Sequence, residues 1–208
     1  MPATHLLTLQ PMTTTFANII VRSGDQTAVA AAVRQLPRRL GAIVAPPVNK
    51  WVAVFDEASD QPDEDRLSGY TVMLSAKLDT VAVGFMVYES DVLLYTLAEN
   101  GQLMDQYSSW PDYFDESLPD NELEALAGDP RCLARLAHVS PSQVNHILEG
   151  EHDFAEEKLA ELASLLGLPP NIGRWGYNDI LTAEPEQPDG REAFIEITQA
   201  FPLAEPES

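Results

Sequence analysis

In the first 107 residues, short apolar runs of strand length alternate with helical stretches, and their order constrains the fold more than any other feature. Phe16 to Arg22 (FANIIVR) is apolar and β-branched, which predicts a strand, and Ser23-Gly24-Asp25 provides the turn and cap that begin a helix. Leu40 to Ala45 and Lys50 to Phe55 predict two further strands, which a proline-containing turn joins. The chain therefore begins strand, helix, strand, strand.

The same order then continues. An acidic loop precedes a second helix, in which Leu67, Tyr70 and Leu74 recur at helical spacing. From Val81 to Tyr107 the period becomes that of strands, and Asn100-Gly101 is a strong hairpin signal because both central residues of a type I′ turn need positive φ. The first six elements follow the order βαββαβ. We predict an α+β fold with a ferredoxin-like antiparallel sheet, extended by a β-meander.

Helix caps dominate the chain beyond residue 118. Asp129-Pro130 and the capping box Ser140 to Gln143 begin two helices, and Asp153 with Glu156 predicts a third that ends at Gly167. The sequence does not indicate whether these helices pack on the sheet. The predicted organisation is a disordered N-terminal tail (1–15), the ferredoxin-like domain (16–118), a helical segment (119–168) and an irregular, acidic, Pro-rich tail (169–208). Ala193 to Thr198 is the one stretch of this last tail that we except from mobility.

The charge of the chain is large, negative and unevenly distributed. The formal net charge is −21, yet residues 1–50 hold one acid and five bases, so the rest of the chain carries −25. Such a field repels nucleic acid and anionic membranes and favours a basic protein partner. With one cysteine, no basic leader and no apolar run longer than Val81 to Tyr88, we expect a soluble, cytoplasmic protein without a membrane span. The oligomeric state stays open.

Residues 132–150 (CLARLAHVSPSQVNHILEG) resemble the helix-turn-helix of phage-repressor-type regulators. The resemblance implies a DNA-binding transcriptional regulator, as an alternative function, whose major-groove residues are Ser142, Gln143, Asn145 and His146. His138 stands where that family has its turn glycine, and residues 120–167 hold ten acids against three bases. Phosphate neutralisation supplies most nonspecific DNA affinity, so this charge balance argues against nucleic-acid binding.

The sequence contains no clear motif for metal binding, catalysis or nucleotide binding. Cys132, His138, His146 and His152 are metal-ligand types, but their spacing is unlike that of zinc sites. The acids between Asp56 and Asp65 lack the spacing and central glycine of a calcium loop. The chain contains no nucleophile elbow, phosphate loop or dinucleotide fingerprint. We therefore expect no catalytic residue, no cofactor and no metal.

Aromatic residues among polar neighbours form the best candidate contact surface. Large aromatic side chains commonly anchor protein interfaces, but they can also seal helices onto a sheet. The segment Ser108 to Pro119, which we call the aromatic loop, supplies three of the candidates. The predicted partner-binding residues are Trp110, Tyr113, Phe114, Trp175 and Tyr177.

Residues 16–115 resemble a group of uncharacterised bacterial proteins. The similar segments are FANIIVR, KWVAVFDEASDQ, DVLLYTL and WPDYFDE, and the resemblance implies a bacterial origin without implying an activity. The leading hypothesis is a non-catalytic, acidic interaction or regulatory protein that binds a protein partner. A small-ligand sensor on a ferredoxin-like sheet is a further alternative, which follows from analogy between folds.

Overall fold

The computed structural model describes residues 13–37, 40–61, 63–168, 175–182 and 193–198. Its strands are β1 (Phe16–Arg22), β2 (Ala42–Val44), β3 (Trp51–Asp56), β4 (Val81–Tyr88), β5 (Val92–Glu99), β6 (Gln102–Ser108) and β7 (Ile195–Ile197). Its helices are α1 (Gln26–Arg34), α2 (Glu64–Leu78), α3 (Asp120–Ala125), α4 (Pro130–Ala137), α5 (Pro141–Leu148), α6 (Ala155–Leu166) and α7 (Tyr177–Thr182).

The described strands form one seven-stranded antiparallel sheet in the order β6-β5-β4-β1-β3-β2-β7. The central strand is β1, in which Ile19 pairs with Gly84 of β4 and with Val54 of β3. The fold is therefore mixed α/β with an antiparallel sheet, as predicted. Its strand order differs from that of a four-stranded ferredoxin-like sheet, because β5 and β6 extend one side and β7 extends the other.

Both faces of the sheet are buried along its central strands. Successive side chains of a strand point to opposite faces, and in β1 Phe16 and Ile20 belong to one apolar core while Ile19 and Val21 belong to the other. The core on the Ile19 side is completed by α1 and α2, and the core on the Phe16 side by α4, α5 and α6. The helical segment thus packs on the sheet, which becomes the middle of three layers.

The helix ends largely follow the caps in the sequence. The carboxylates of Asp25, Asp63 and Asp129 accept hydrogen bonds from backbone N–H groups of the first turns of α1, α2 and α4, at 2.9–3.0 Å. The capping box of Ser140 and Gln143 begins α5. The prediction that Asp153 begins α6 was wrong by one residue, because Phe154 is the N-cap there and no side chain completes the cap.

The predicted β5–β6 turn is confirmed. Asn100 and Gly101 have φ values of 51° and 81°, the positive values that a tight type I′ turn requires. The acidic loop between β3 and α2 differs slightly from its prediction, because residues 57–60 form a short 3-10 turn.

The tails also differ from the prediction where the structure describes them. Within residues 169–208, predicted to be irregular apart from Ala193 to Thr198, Tyr177–Thr182 forms α7, and Ile195–Ile197 in the excepted stretch pairs with β2. Within residues 1–15, predicted to be disordered, the Thr14 N–H donates to the Ser90 hydroxyl at 2.9 Å. Residues 1–12, 169–174, 183–192 and 199–208 of the predicted tails lie outside the described ranges. None of the helices in those ranges has the length and apolar character that crossing a bilayer demands.

The close approach of α2 to β4 depends on Gly84. A Cβ atom at Gly84 would overlap the Thr71 hydroxyl and lie 2.9 Å from Cδ1 of Leu67, both buried side chains of α2. We expect Gly84→Ala to lower the free energy of unfolding by about 1–3 kcal/mol, as overpacking does. The measurement is the midpoint of urea-induced unfolding, with the m-value of the variant equal to that of the wild type.

Gly69 provides the matched control in the same helix. A Cβ atom there meets nothing within 4 Å, so Gly69→Ala should raise the free energy of unfolding by roughly 0.5–1 kcal/mol, because alanine loses less backbone entropy in a helix. If both substitutions changed the free energy of unfolding in the same direction, the tight contact between α2 and β4 would be contradicted.

Candidate functional site

A cleft of about 690 Å³ opens where the α5–α6 connection meets the β4–β5 turn and the aromatic loop. Ligand sites in proteins usually fall between about 300 and 1,000 Å³. Its walls come from four segments: the β4–β5 turn, the residues after β6, the end of α5 with the connection that follows it, and the first turn of α6. We call it the acidic cleft. Its lining residues are Asp91, Ser109, Trp110, Leu148, Glu149, Gly150, Glu151, His152, Asp153, Phe154, Ala155 and Lys158.

The β4–β5 turn holds the start of α6 in place beside this cleft. Ser90 lies in the turn with a φ of 62°, and its carbonyl accepts the Ala155 N–H at 2.8 Å. Its hydroxyl donates to Glu156 Oε1 at 2.7 Å and accepts the Thr14 N–H at 2.9 Å. One serine therefore joins the chain before β1, the turn and α6.

Lys158 forms the floor of the acidic cleft. Its side chain is 8% exposed, and its Nζ donates to the Leu148 carbonyl at 2.9 Å and to the Tyr107 hydroxyl at 3.1 Å. Leu148 ends α5, so the ammonium lies at the negative end of that helix dipole. Burial lowers the pKa of Lys158. Among the described residues, no carboxylate lies within 4.0 Å of its amine.

A buried polar chain continues from Lys158 into the sheet. The Tyr107 hydroxyl donates to the Leu148 carbonyl at 2.8 Å, and its ring stacks on Tyr95 with centroids 5.3 Å apart. The Tyr95 hydroxyl donates to Asp105 Oδ2 at 2.7 Å, and Asp105 Oδ1 accepts the N–H of Asp129, the cap of α4, at 2.9 Å. Polar contacts thus join β6 to the helical segment at the start of α4 and at the end of α5.

Burial within this chain shifts the pKa of each phenol and of the carboxyl. It raises the pKa of Tyr107 to about 12. The pKa of Tyr95 is raised still more, first by burial and then by the nearby charge of Asp105. Burial also raises the pKa of Asp105, although the hydrogen bonds from Tyr95 and Asp129 oppose that shift.

The exposed charges around the acidic cleft are negative. Asp91, Glu149, Glu151 and Asp153 are all exposed lining residues, whereas Lys158 is buried beneath them. Carboxylates grouped at the mouth of a concave site concentrate their field there. The rim therefore attracts a cationic group and repels a free anion.

Two aromatic rings flank the same opening. Trp110 is 52% exposed and Phe154 is 47% exposed, and both line the acidic cleft. The ring of Trp110 also meets Tyr113 edge to face at 5.1 Å. The aromatic loop thus contributes one side chain directly to the cleft.

The structure brings three of the five predicted partner-binding residues together. Tyr113 and Phe114 lie 5.1 Å apart, and both contact Tyr88 at the end of β4. Trp175 and Tyr177 lie elsewhere, partly buried against the core under α4–α6. The Trp175 carbonyl accepts from Asn18 of β1 at 3.2 Å. For Trp175 and Tyr177 the sealing interpretation fits the contacts better.

The helix-turn-helix candidates lie on α5. Ser142, Gln143 and His146 are exposed and Asn145 is half-buried, while His138 adopts a φ of 58° at the position of the family's turn glycine.

The three cations of the helical segment are engaged elsewhere. Arg131 pairs with Asp129 and Arg135 pairs with Glu99, each at 2.7 Å, and Lys158 is buried. This leaves no free cation in residues 119–168 to neutralise phosphate.

Metal ligands do not gather within the described residues, where no group of three or more histidine, cysteine or acidic side chains could hold an ion. Cys132 is partly buried, and burial raises the pKa of its thiol. A raised pKa disfavours the nucleophilic thiolate.

Sequence reasoning missed Lys158, although a signal was present. Lys158 occupies the apolar stripe of α6 that Ala155, Leu159, Leu162 and Leu166 form. A lysine on the buried face of an amphipathic helix is uncommon unless it has partners, and this position could have been identified from spacing alone.

No protein-family model, curated protein or solved structure matches this chain. The resemblances to bacterial proteins and to phage-repressor-type regulators therefore stay predictions.

The raised pKa of Asp105 generates a pH prediction. The folded state holds the Asp105 proton more tightly than the unfolded state does, so the cost of burying the charge is present at neutral pH. That cost disappears as the pH falls through the raised pKa of the folded state, because Asp105 then becomes protonated and neutral. In the unfolded state the same carboxyl is protonated only near its ordinary pKa of about 3.9. We therefore expect the difference in Tm, wild type minus Asp105→Asn, to increase as the pH is lowered from 7 to 4.5. Circular dichroism at constant ionic strength measures both Tm values.

The comparison with the variant cancels the general loss of negative charge, because both proteins carry the other acids. Parallel plots of Tm against pH for the two proteins would show that Asp105 titrates normally and would contradict the prediction.

Proposed function

We propose that this protein is a non-catalytic interaction or regulatory protein that binds a basic segment of a protein partner in the acidic cleft. The observation that carries the proposal is the pairing of two half-exposed rings, Trp110 and Phe154, with a cleft rimmed by carboxylates. Exposed aromatic side chains beside a cavity are typical anchors of protein interfaces. The partner's cations supply the complementary charge.

The chemistry of the rim favours lysine and arginine side chains. A cation over an exposed aromatic face gains about 0.5–1 kcal/mol, and a carboxylate at hydrogen-bonding distance adds a charge-assisted bond. Glu149, Glu151 and Asp153 are exposed acids at alternate positions of the α5–α6 connection, and Asp91 lines the same cleft from the β4–β5 turn. The −25 beyond residue 50 draws such a segment in from a distance.

DNA recognition receives less support from the same charges. Arg131 and Arg135 are held in ion pairs, and the exposed side of α5 leads directly into Glu149 and Glu151. A regulator that used Gln143 for base contacts would first have to release it from Ser140, whose N–H it accepts at 3.1 Å.

We also propose that the centre of the sheet is a ferredoxin-like unit. Four neighbouring strands follow the order β4-β1-β3-β2, and α1 and α2 cover one face of them. On this view β5, β6 and β7 are additions, and the acidic cleft lies at the added β5–β6 side.

A bacterial cytoplasm suits a chain whose one cysteine is a free thiol.

Fluorescence anisotropy with labelled nine-residue peptides tests the proposal. The peptides carry four lysine or arginine residues in varied neutral surroundings, and matched peptides carry glutamate instead. We expect the basic peptides to bind at 50 mM salt, to weaken at 500 mM and to outcompete the acidic ones. The absence of binding by every basic peptide at 50 mM salt would overturn the proposed function.

Two pairs of variants locate the contact. Trp110→Ala should weaken binding about tenfold, whereas Phe114→Ala, a similarly exposed ring that does not line the cleft, should change it little. Glu149→Gln should weaken binding more than Glu122→Gln, which removes the same charge from an exposed position on α3. Equal effects within either pair would show that attraction is diffuse and that the cleft is not the site.

A further inference from the structure

The ammonium group of Lys158 lies at the bottom of a cleft without a negatively charged partner among the described residues. A lysine amine has three N–H donors. The Leu148 carbonyl and the Tyr107 hydroxyl accept two of them. The remaining donor has no acceptor among the hydrogen bonds of the described residues.

Structural needs account for only part of this arrangement. The Leu148 carbonyl at the end of α5 already accepts the Tyr107 hydroxyl, so it has a partner without the lysine. The rest of the α6 stripe is apolar, and a methionine would fill the same position without the cost of burying a charge. The lowered pKa of Lys158 records that cost. A buried ammonium that lacks a carboxylate points to an acceptor that arrives with a ligand.

The rim restricts which anion can arrive. Asp91, Glu149, Glu151 and Asp153 are exposed residues of the lining, so their charges repel a free anion. Glu156, at the start of α6, accepts from the Ser90 hydroxyl through Oε1, whereas its buried Oε2 has no hydrogen-bond partner among the described residues. The site therefore suits a ligand that has one anionic group to reach Lys158 and cationic groups for the rim.

We propose that the acidic cleft binds the carboxyl terminus of a basic polypeptide, with its terminal carboxylate on Lys158 and its last lysine or arginine side chains on the rim acids. The inference rests on the proposed function and narrows it from any basic segment to a basic chain end. A terminal carboxylate provides two acceptor oxygens on a slender backbone, so it can reach a floor that an internal segment cannot. The rings of Trp110 and Phe154 then lie beside the side chains that precede the terminus.

The test compares peptides of one basic sequence that differ only at the C-terminus. One ends in the free acid, one in the amide, and one continues for three neutral residues before an amide. With the wild-type protein at pH 7 and 50 mM salt, we expect the acid to bind at least tenfold more tightly than the other two. This readout requires no variant and so does not depend on a substitution that could unfold the chain.

Two substitutions assign the preference to the amine. Lys158→Met should abolish the preference for the free acid, so that the acid and the amide bind this variant with affinities within twofold of each other. Lys158→Arg, which keeps a positive charge, should retain part of the preference. Melting curves of both variants establish that they are folded under the binding conditions.

The outcomes separate this inference from the function on which it rests. Equal, measurable binding of acid, amide and extended peptides would overturn the chain-end inference and leave the basic-segment proposal standing. Failure of all three peptides would overturn both. An acid preference that persists in folded Lys158→Met would place the carboxylate elsewhere and would also overturn the inference. Free arginine that binds as tightly as the acid peptide would identify a small-molecule site and exclude a polypeptide end.

Discussion

The structure depends on a sheet that has no face able to remain in water. The central strands carry apolar side chains on both sides, so Phe16 and Ile20 require cover as much as Ile19 and Val21 do. Burying apolar surface is the main favourable term in folding. The helices α1 and α2 cover one side, and the other side must take α4, α5 and α6. This requirement explains why the helical segment is part of the core instead of an appendage.

The seam between the sheet and those three helices is polar in places, which determines how they dock. Apolar burial has little directionality. The hydrogen bonds of Asp105 with Asp129 and of Lys158 with Leu148 are directional, so they restrict how the helices sit on the sheet. Polar groups at such depth are stable only when they are satisfied. The two tyrosine rings, Tyr95 and Tyr107, connect these contacts and hold the register of α4 and α5 against β5 and β6. The shape of the acidic cleft follows from that register.

Local signals in the sequence predicted most elements of the fold. The β-branched run of β1, the caps of α1, α4 and α5 and the Asn100-Gly101 turn each act over a few residues, so their effects can be read directly. The stretch that contains β7 was excepted from the mobile tail, but its pairing could not be predicted, because its three residues pair with β2, about 150 positions earlier in the chain. Phe154 replaced Asp153 as the cap of α6 since the Ala155 N–H bonds to the distant Ser90 carbonyl.

The candidate site was less accessible to sequence reasoning. Trp110 was identified by its composition and surroundings, but the same criterion grouped it with Trp175 and Tyr177, which pack against the core. Lys158 went unnoticed because lysine is usually an exposed residue. Its role follows from Tyr107, Leu148 and the cleft, and these meet only after β6, α5 and α6 have come together.

The walls of the acidic cleft belong to segments between Asp91 and Lys158 that are far apart in sequence. The cleft therefore exists only while the helical layer is docked, and an occupant that fills it shifts the docking equilibrium by mass action. At a concentration one hundred times its Kd, such an occupant would add about 2.7 kcal/mol to the docked form. Ligand binding in the acidic cleft and docking of the outer helical layer on the sheet are thus thermodynamically linked. A change in the stability of the docked layer therefore changes the affinity for the ligand, and the reverse also holds.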